Sequence, residues 1–124
     1  MNAFLATAGS ALLMDGVWLT LRNNYHQSLF QKIQQSPLKA RVIPAIAIYM
    51  LIPLALFIGA VQPASTVIDG MKRGALIGLF LYAFYDLTNY ATLTQWTLQM
   101  TVTDILWGTF LCTLAAGVGA YVKK

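Results

Sequence analysis

Residues 42–61 read VIPAIAIYMLIPLALFIGAV, twenty positions without one charged side chain. A bilayer core takes about 20 mostly apolar residues per helix, so this run is expected to cross a membrane. Pro44 falls in its first turn, where a missing N–H costs nothing, and Pro63 bounds its end. Pro53 lies mid-span and is expected to kink the helix, as a packing feature or as a hinge.

Outward from this run, three more segments qualify: about 3–21, 74–94 and 100–122. The 124-residue chain is 58% hydrophobic and only 10% charged. An ordinary soluble domain is roughly 45–50% apolar and about 25% charged. The expected fold is therefore all-α: an integral membrane antiparallel four-helix bundle, with residues 1–124 forming one domain. The first segment lacks a basic flank before its apolar run and is expected to be a retained helix rather than a cleaved signal. Small residues suit close packing in three spans: Ala6, Gly9 and Gly16, then Gly74 and Gly78, then Gly108, Ala116, Gly117 and Gly119.

The longest connection, residues 22–41, repeats Tyr25, Leu29, Phe30 and Ile33 at helical spacing among polar residues. It is expected to form a short amphipathic helix at the interface, ended by Ser36-Pro37. His26 reads as an interfacial polar residue or, alternatively, a ligand. Trp96, on the short last loop, is expected to anchor in the interfacial belt.

Let the N-terminal end be side A and the first loop side B. Lys72, Arg73, Lys123 and Lys124 then balance Arg22, Lys32, Lys39 and Arg41, four against four, so charge sets no orientation. That balance is compatible with a single orientation or with dual insertion and a homo-oligomer. The net charge of +4 flanks apolar runs, which fits anionic lipid headgroups and argues against nucleic acid as a partner. One cysteine, Cys112, excludes an intrachain disulfide and reads as a small packed residue. With a single histidine beside it, the usual His/Cys zinc sites are excluded, no metal ligand set is assigned, and the sequence names no cofactor.

The informative residues are acidic. Asp69 sits ahead of the third span beside Lys72 and Arg73 and is expected to be solvated, whereas Asp15, Asp86 and Asp104 lie inside spans. A central Asp costs about 2.5–3.5 kcal/mol on insertion scales, so these three are expected to face the bundle interior. By helical rise, Asp15 lies roughly 10 Å, Asp86 roughly 12 Å and Asp104 roughly 6 Å from the B face. Asp15, Trp18 and Arg22 share a stripe on the first span; Tyr82, Asp86 and Asn89 on the third; Asp104 and Trp107 on the fourth. Phe80, Phe84, Leu87 and Ala91 lie away from that third stripe and suit lipid.

The expected site is thus a B-side pocket of Asp15, Trp18, Arg22, Tyr82, Tyr85, Asp86, Asn89, Asp104 and Trp107. Three carboxylates in low dielectric with one fixed cation, Arg22, cannot all stay ionised alone. A proton, a cation or a small polar molecule must complete the site. Two other readings are a membrane enzyme using Asp86 or Asp104 as acid or base on a lipid or isoprenoid, and an accessory subunit whose polar cluster clamps the bundle. The enzyme reading lacks a recognisable nucleophile–base pair or metal motif. For Asp104, a favourable place near a helix N-terminus is a further alternative.

The string Tyr85-Asp86-Leu87-Thr88-Asn89, with Ala91, Thr92, Leu93 and Trp96, then Asp104, Trp107 and Gly108, and Asp15 with Trp18, resembles a family of small four-helix bacterial membrane proteins of unknown function. The resemblance spans nearly the whole chain and implies a four-helix fold in a bacterial inner membrane, without implying an activity. Pro53 departs from that family's pattern, where an aromatic-rich stretch is expected in the second span.

Overall fold

The computed structural model describes residues 2–36, 38 and 41–123. Pro37, expected to help end the loop helix, and Lys39 and Lys124, counted in the charge balance, lie outside the described residues. Five α-helices follow in order: α1 (Asn2–Leu21), α2 (Asn23–Gln34), α3 (Val42–Leu56), α4 (Val67–Thr92) and α5 (Leu98–Lys123). A π-helical stretch, Phe57–Val61, prolongs α3. Among the described residues there is no strand.

Among the described residues, three stretches are long and apolar enough to cross a membrane: Asn2–Leu21, Val42–Val61 and Leu98–Lys123. The expected span at 74–94 falls on α4 but overruns its end at Thr92 by two residues; α4 is long enough at 26 residues but less apolar than these three. Its polar stripe and its charged first turns cause the shortfall. α4 also starts earlier than expected, because Thr66 caps it: the Thr66 hydroxyl accepts from Asp69 N–H at 2.9 Å.

α4 and α5 make the most extensive helix–helix contact. A Cβ added at Gly70 would press on Ala120, at Gly74 on Cys112 and Ala116, and at Gly78 on Cys112 and Gly108. At Gly108 it would enter the Tyr82 ring. Residue numbers rise on one helix as they fall on the other, so the pair is antiparallel. The absent side chains let the backbones approach closely. Cys112 is fully buried in this seam, as its apolar surroundings led one to expect. α1 packs along the other side of α5, with Thr7 against Gly119 and Asp15 bonded to Trp107.

Gly9 and Gly16 depart from the expectation of close packing. Both are exposed, and a Cβ on either would meet nothing within 4 Å. They lie on the outer face of α1, away from the seam with α5.

α3 joins the others mainly at its A-side end. Pro53, Leu56, Ala60 and Val61 are buried, whereas Val42, Ile43, Ile46, Ile48 and Leu51 are exposed. Lys123 fastens this end: its ammonium donates to the carbonyls of Val61 at 2.9 Å, Gln62 at 2.9 Å and Ala64 at 2.7 Å. Its three N–H groups thus gather carbonyls at and just beyond the helix end, that of Val61 also accepting from Ala64 N–H at 3.2 Å.

α2 follows α1 almost without interruption and ends at Gln35, held in the left-handed region at φ 61°. Its apolar stripe does not lie bare. Leu29, with Tyr25, Phe30 and Ile33, packs on Trp96, Met100 and Leu93. Trp96 is therefore not a lipid-facing belt residue but is 3% exposed beneath α2. Tyr25 and Thr97 share a 2.7 Å hydrogen bond that ties α2 to the start of α5.

Candidate functional site

Three polar residues are buried among the described ones: Thr7, Thr101 and Asp86. The two threonines are satisfied by their own helices. Thr7 donates to the Ala3 carbonyl at 2.7 Å and Thr101 to the Thr97 carbonyl at 3.0 Å. Asp86 is 0% exposed, and neither of its carboxylate oxygens has a hydrogen-bond partner. Leaving such a group unpaired in low dielectric costs several kcal/mol, on the order of the penalty for a lost buried charge partner.

Its position follows from the seam. Gly70, Gly74, Gly78, Tyr82 and Asp86 recur every fourth residue of α4. On α5 the matching series is Ala120, Ala116, Cys112, Gly108 and Asp104. The repeat that aligns small residues at side A thus brings two carboxyls together toward side B, and Asp104 is the charged group acting on Asp86. Asp104 lies six residues beyond Leu98, roughly 9 Å into α5, and so is past the first turn where the helix dipole acts. Thr97 caps that end instead, accepting from Met100 N–H at 3.0 Å.

The other expected residues divide. Asp15 accepts from Trp107 Nε1 at 3.3 Å, and Trp107 stacks on Trp18 with centroids 4.6 Å apart and planes 8° from parallel. Arg22 lies over both Trp18, at 5.3 Å, and Tyr25, at 4.6 Å. Its Nε and one terminal nitrogen, and Trp18 Nε1, are buried without hydrogen-bond partners. Tyr82 covers Gly108 and stands within electrostatic reach of Asp15, Asp86 and Asp104.

Tyr85 and Asn89 sit on the flank of the site, Tyr85 within electrostatic reach of Asp86 and Asp104. Together with Phe80, Phe84 and Thr88 they line a shallow hollow on the outer face of α4, and Tyr85 meets Trp96 edge-on at 6.0 Å. Phe80, Phe84 and Leu87 are exposed there, as lipid-facing residues would be. The three carboxylates do not form one ring. Asp104 neighbours both Asp15 and Asp86, which makes a row rather than a metal cage. Among the described residues no three His, Cys, Asp or Glu side chains come together as a metal-holding group.

His26 belongs to this neighbourhood and was not among the expected site residues. Burial lowers its basicity, and the Arg22 charge adds to that, against the opposing pull of Asp104 and Asp15. The signal available in the sequence was its position four residues after Arg22, on the continuation of the Asp15–Trp18–Arg22 stripe.

Over residues 1–121 the chain matches a family described as predicted membrane protein (DUF2177), and it belongs to that family. Comparison with curated proteins and with solved structures gives no match.

Proposed function

We propose, for this member of a membrane-protein family without an assigned activity, a charge-binding centre within the bilayer. Its core is the Asp86–Asp104 pair, which takes up a cation or a proton. The observation that carries the reading is Asp86, fully buried with both oxygens unpartnered and a second carboxyl facing it. Intramembrane ionisable groups are costly and mark ion or proton sites far more often than soluble ones do. Asp15, Trp18, Arg22, Tyr82 and Trp107, with His26, form the B-side surroundings of the pair. Tyr85 and Asn89 line the outer hollow of α4, and Tyr85 still stands within electrostatic reach of the pair from that flank.

The architecture proposed with it is a single domain of four antiparallel membrane-crossing helices in a bacterial inner membrane, with α2 lying at the B-side interface. α4 is the fourth crossing because it runs beside α5 from Gly70–Ala120 to Tyr82–Gly108, so the two helices must share one path. Four short helices enclose little volume, and movement of a ligand across the membrane would call for a homo-oligomer.

The test is thermal unfolding of purified protein across pH and with added cations. Wild type should shift with one of these variables and Asp86→Asn should not. A variant that keeps the wild-type shifts while losing stability equally at every condition would make the pair a packing clamp. A clamp-like contact beside the pair is the Trp107–Asp15 bond, which gives Asp15 a partner within the bundle.

A further inference from the structure

Resting on the charge-binding reading, we propose that the ligand is a proton, held between the Asp86 and Asp104 carboxyls within the α4–α5 seam. Three features of the seam favour a proton over a metal cation. Hard cations take six or more oxygen ligands, or several ligands with retained water. The seam offers the oxygens of two carboxyls; Asp15 is engaged with Trp107, and no three acidic or other metal-ligating groups gather among the described residues. The helices are also in near-backbone contact one and two turns away, where Gly78 lies against the Gly108 carbonyl and Tyr82 lies on Gly108. A coordination sphere would have to part them, whereas a proton adds no volume.

The third feature is donor chemistry. Asp86 and Asp104 are both acceptors when ionised, and apart from the facing Asp104 carboxyl no side chain among the described residues is placed to bond Asp86. One proton turns one carboxyl into an O–H that donates to the other, forming a single O–H···O bond and leaving one negative charge on the pair. Paired carboxyls elsewhere share a proton for this same reason, since like charges in contact cannot both persist. Release breaks that O–H bond, sends the proton to water and leaves two carboxylates. The charged and titratable groups around the pair are Asp15 on α1, Arg22 at the turn between α1 and α2, His26 on α2, and Tyr82 and Tyr85 on α4. Arg22 lies over the faces of Trp18 and Tyr25, and among the described residues no ion pair joins it to a carboxylate of the pair.

Infrared spectroscopy of the full chain in neutral-lipid vesicles tests this directly. Wild type should retain a protonated-carboxyl C=O band at about pH 7, roughly three units above where an ordinary Asp ionises. The band should be lost in Asp86→Asn and kept in Asp15→Asn. A wild-type spectrum without the band at about pH 7, or a band that survives Asp86→Asn, overturns the proton assignment. Thermal shifts with sodium and calcium on the same samples separate the two levels. No band together with a cation shift abolished by Asp86→Asn leaves the charge-binding centre standing and removes the proton. Neither band nor shift removes both.

Discussion

The two halves of the α4–α5 seam share one geometry and differ in what they carry. At side A the four-residue repeat sets Gly70, Gly74 and Gly78 against Ala120, Ala116 and Cys112. Toward side B the same repeat continues as Tyr82 and Asp86 against Gly108 and Asp104. The first half is stable because nothing protrudes, so backbones approach and dispersion contacts accumulate. The second half places two carboxyls where packing alone would favour small or apolar residues. The difference separates a scaffold from a site: proteins keep unfavourable local choices chiefly where function requires them.

The largest effect expected from breaking this comparison is at the scaffold. Gly74→Leu would drive a side chain into the Cys112 carbonyl and Ala116, and should cost about 1–3 kcal/mol or more, seen as lost monodisperse protein or a large fall in Tm. Its control is Gly16→Ala on the open face of α1, which should be neutral or stabilising by about 0.5–1 kcal/mol. If the two glycines responded alike, the seam would not be the tight contact described.

At side B a smaller effect is expected from Trp107→Phe, which keeps an aromatic ring to stack on Trp18 and removes the donor to Asp15. Because Asp15 is only partly buried, losing that bond should cost about 0.5–1.5 kcal/mol. Unfolding in mixed detergent would measure it, and no change would mean that Asp15 finds water or another donor instead.

The smallest effect contrasts the carboxylates themselves. Asp69, at the A end of α4, accepts from the Ser65 backbone N–H at 3.0 Å and from Arg73 Nε at 3.2 Å. The Ser65 bond first, and Arg73 second, hold its carboxyl below the usual Asp range. A lowered folded-state value means that the contribution is present above the ordinary Asp range and is lost as pH falls through and below it. Asp69→Asn should therefore flatten a shallow acid-side loss of stability and leave neutral and alkaline behaviour alone, as followed by Tm against pH. A change at alkaline pH would mean that the two ends of α4 are not electrically separate.

Much of this was legible in residue patterns. The uncharged run at 42–61 and its neighbours announced an all-helical membrane protein, and Asp86 and Asp104 stood out because charges there are expensive. Three things were hidden. The stripe of Tyr82, Asp86 and Asn89 is a true helical face, yet a seam admits only a narrow line of it, so Asp86 turns inward while Asn89 falls on the outer flank. Gly9 and Gly16 looked like packing residues because composition does not say which face a neighbour takes. Trp96 looked like an interfacial anchor because α2 folding over it is a tertiary event, decided by contacts to Leu29 and its neighbours, distant in the chain.

A double-mutant cycle on Asp86→Asn and Asp104→Asn, run across pH by reversible unfolding, tests most directly whether the B half of the seam is a titrating centre. Groups in contact couple by about 0.5–3 kcal/mol, and the cycle isolates that coupling from the loss of either residue alone. The expected result is a coupling that is favourable when the pair holds its proton and turns unfavourable as pH rises and both carboxyls ionise. A coupling that stays constant with pH would contradict the account and make Asp86 and Asp104 a clamp.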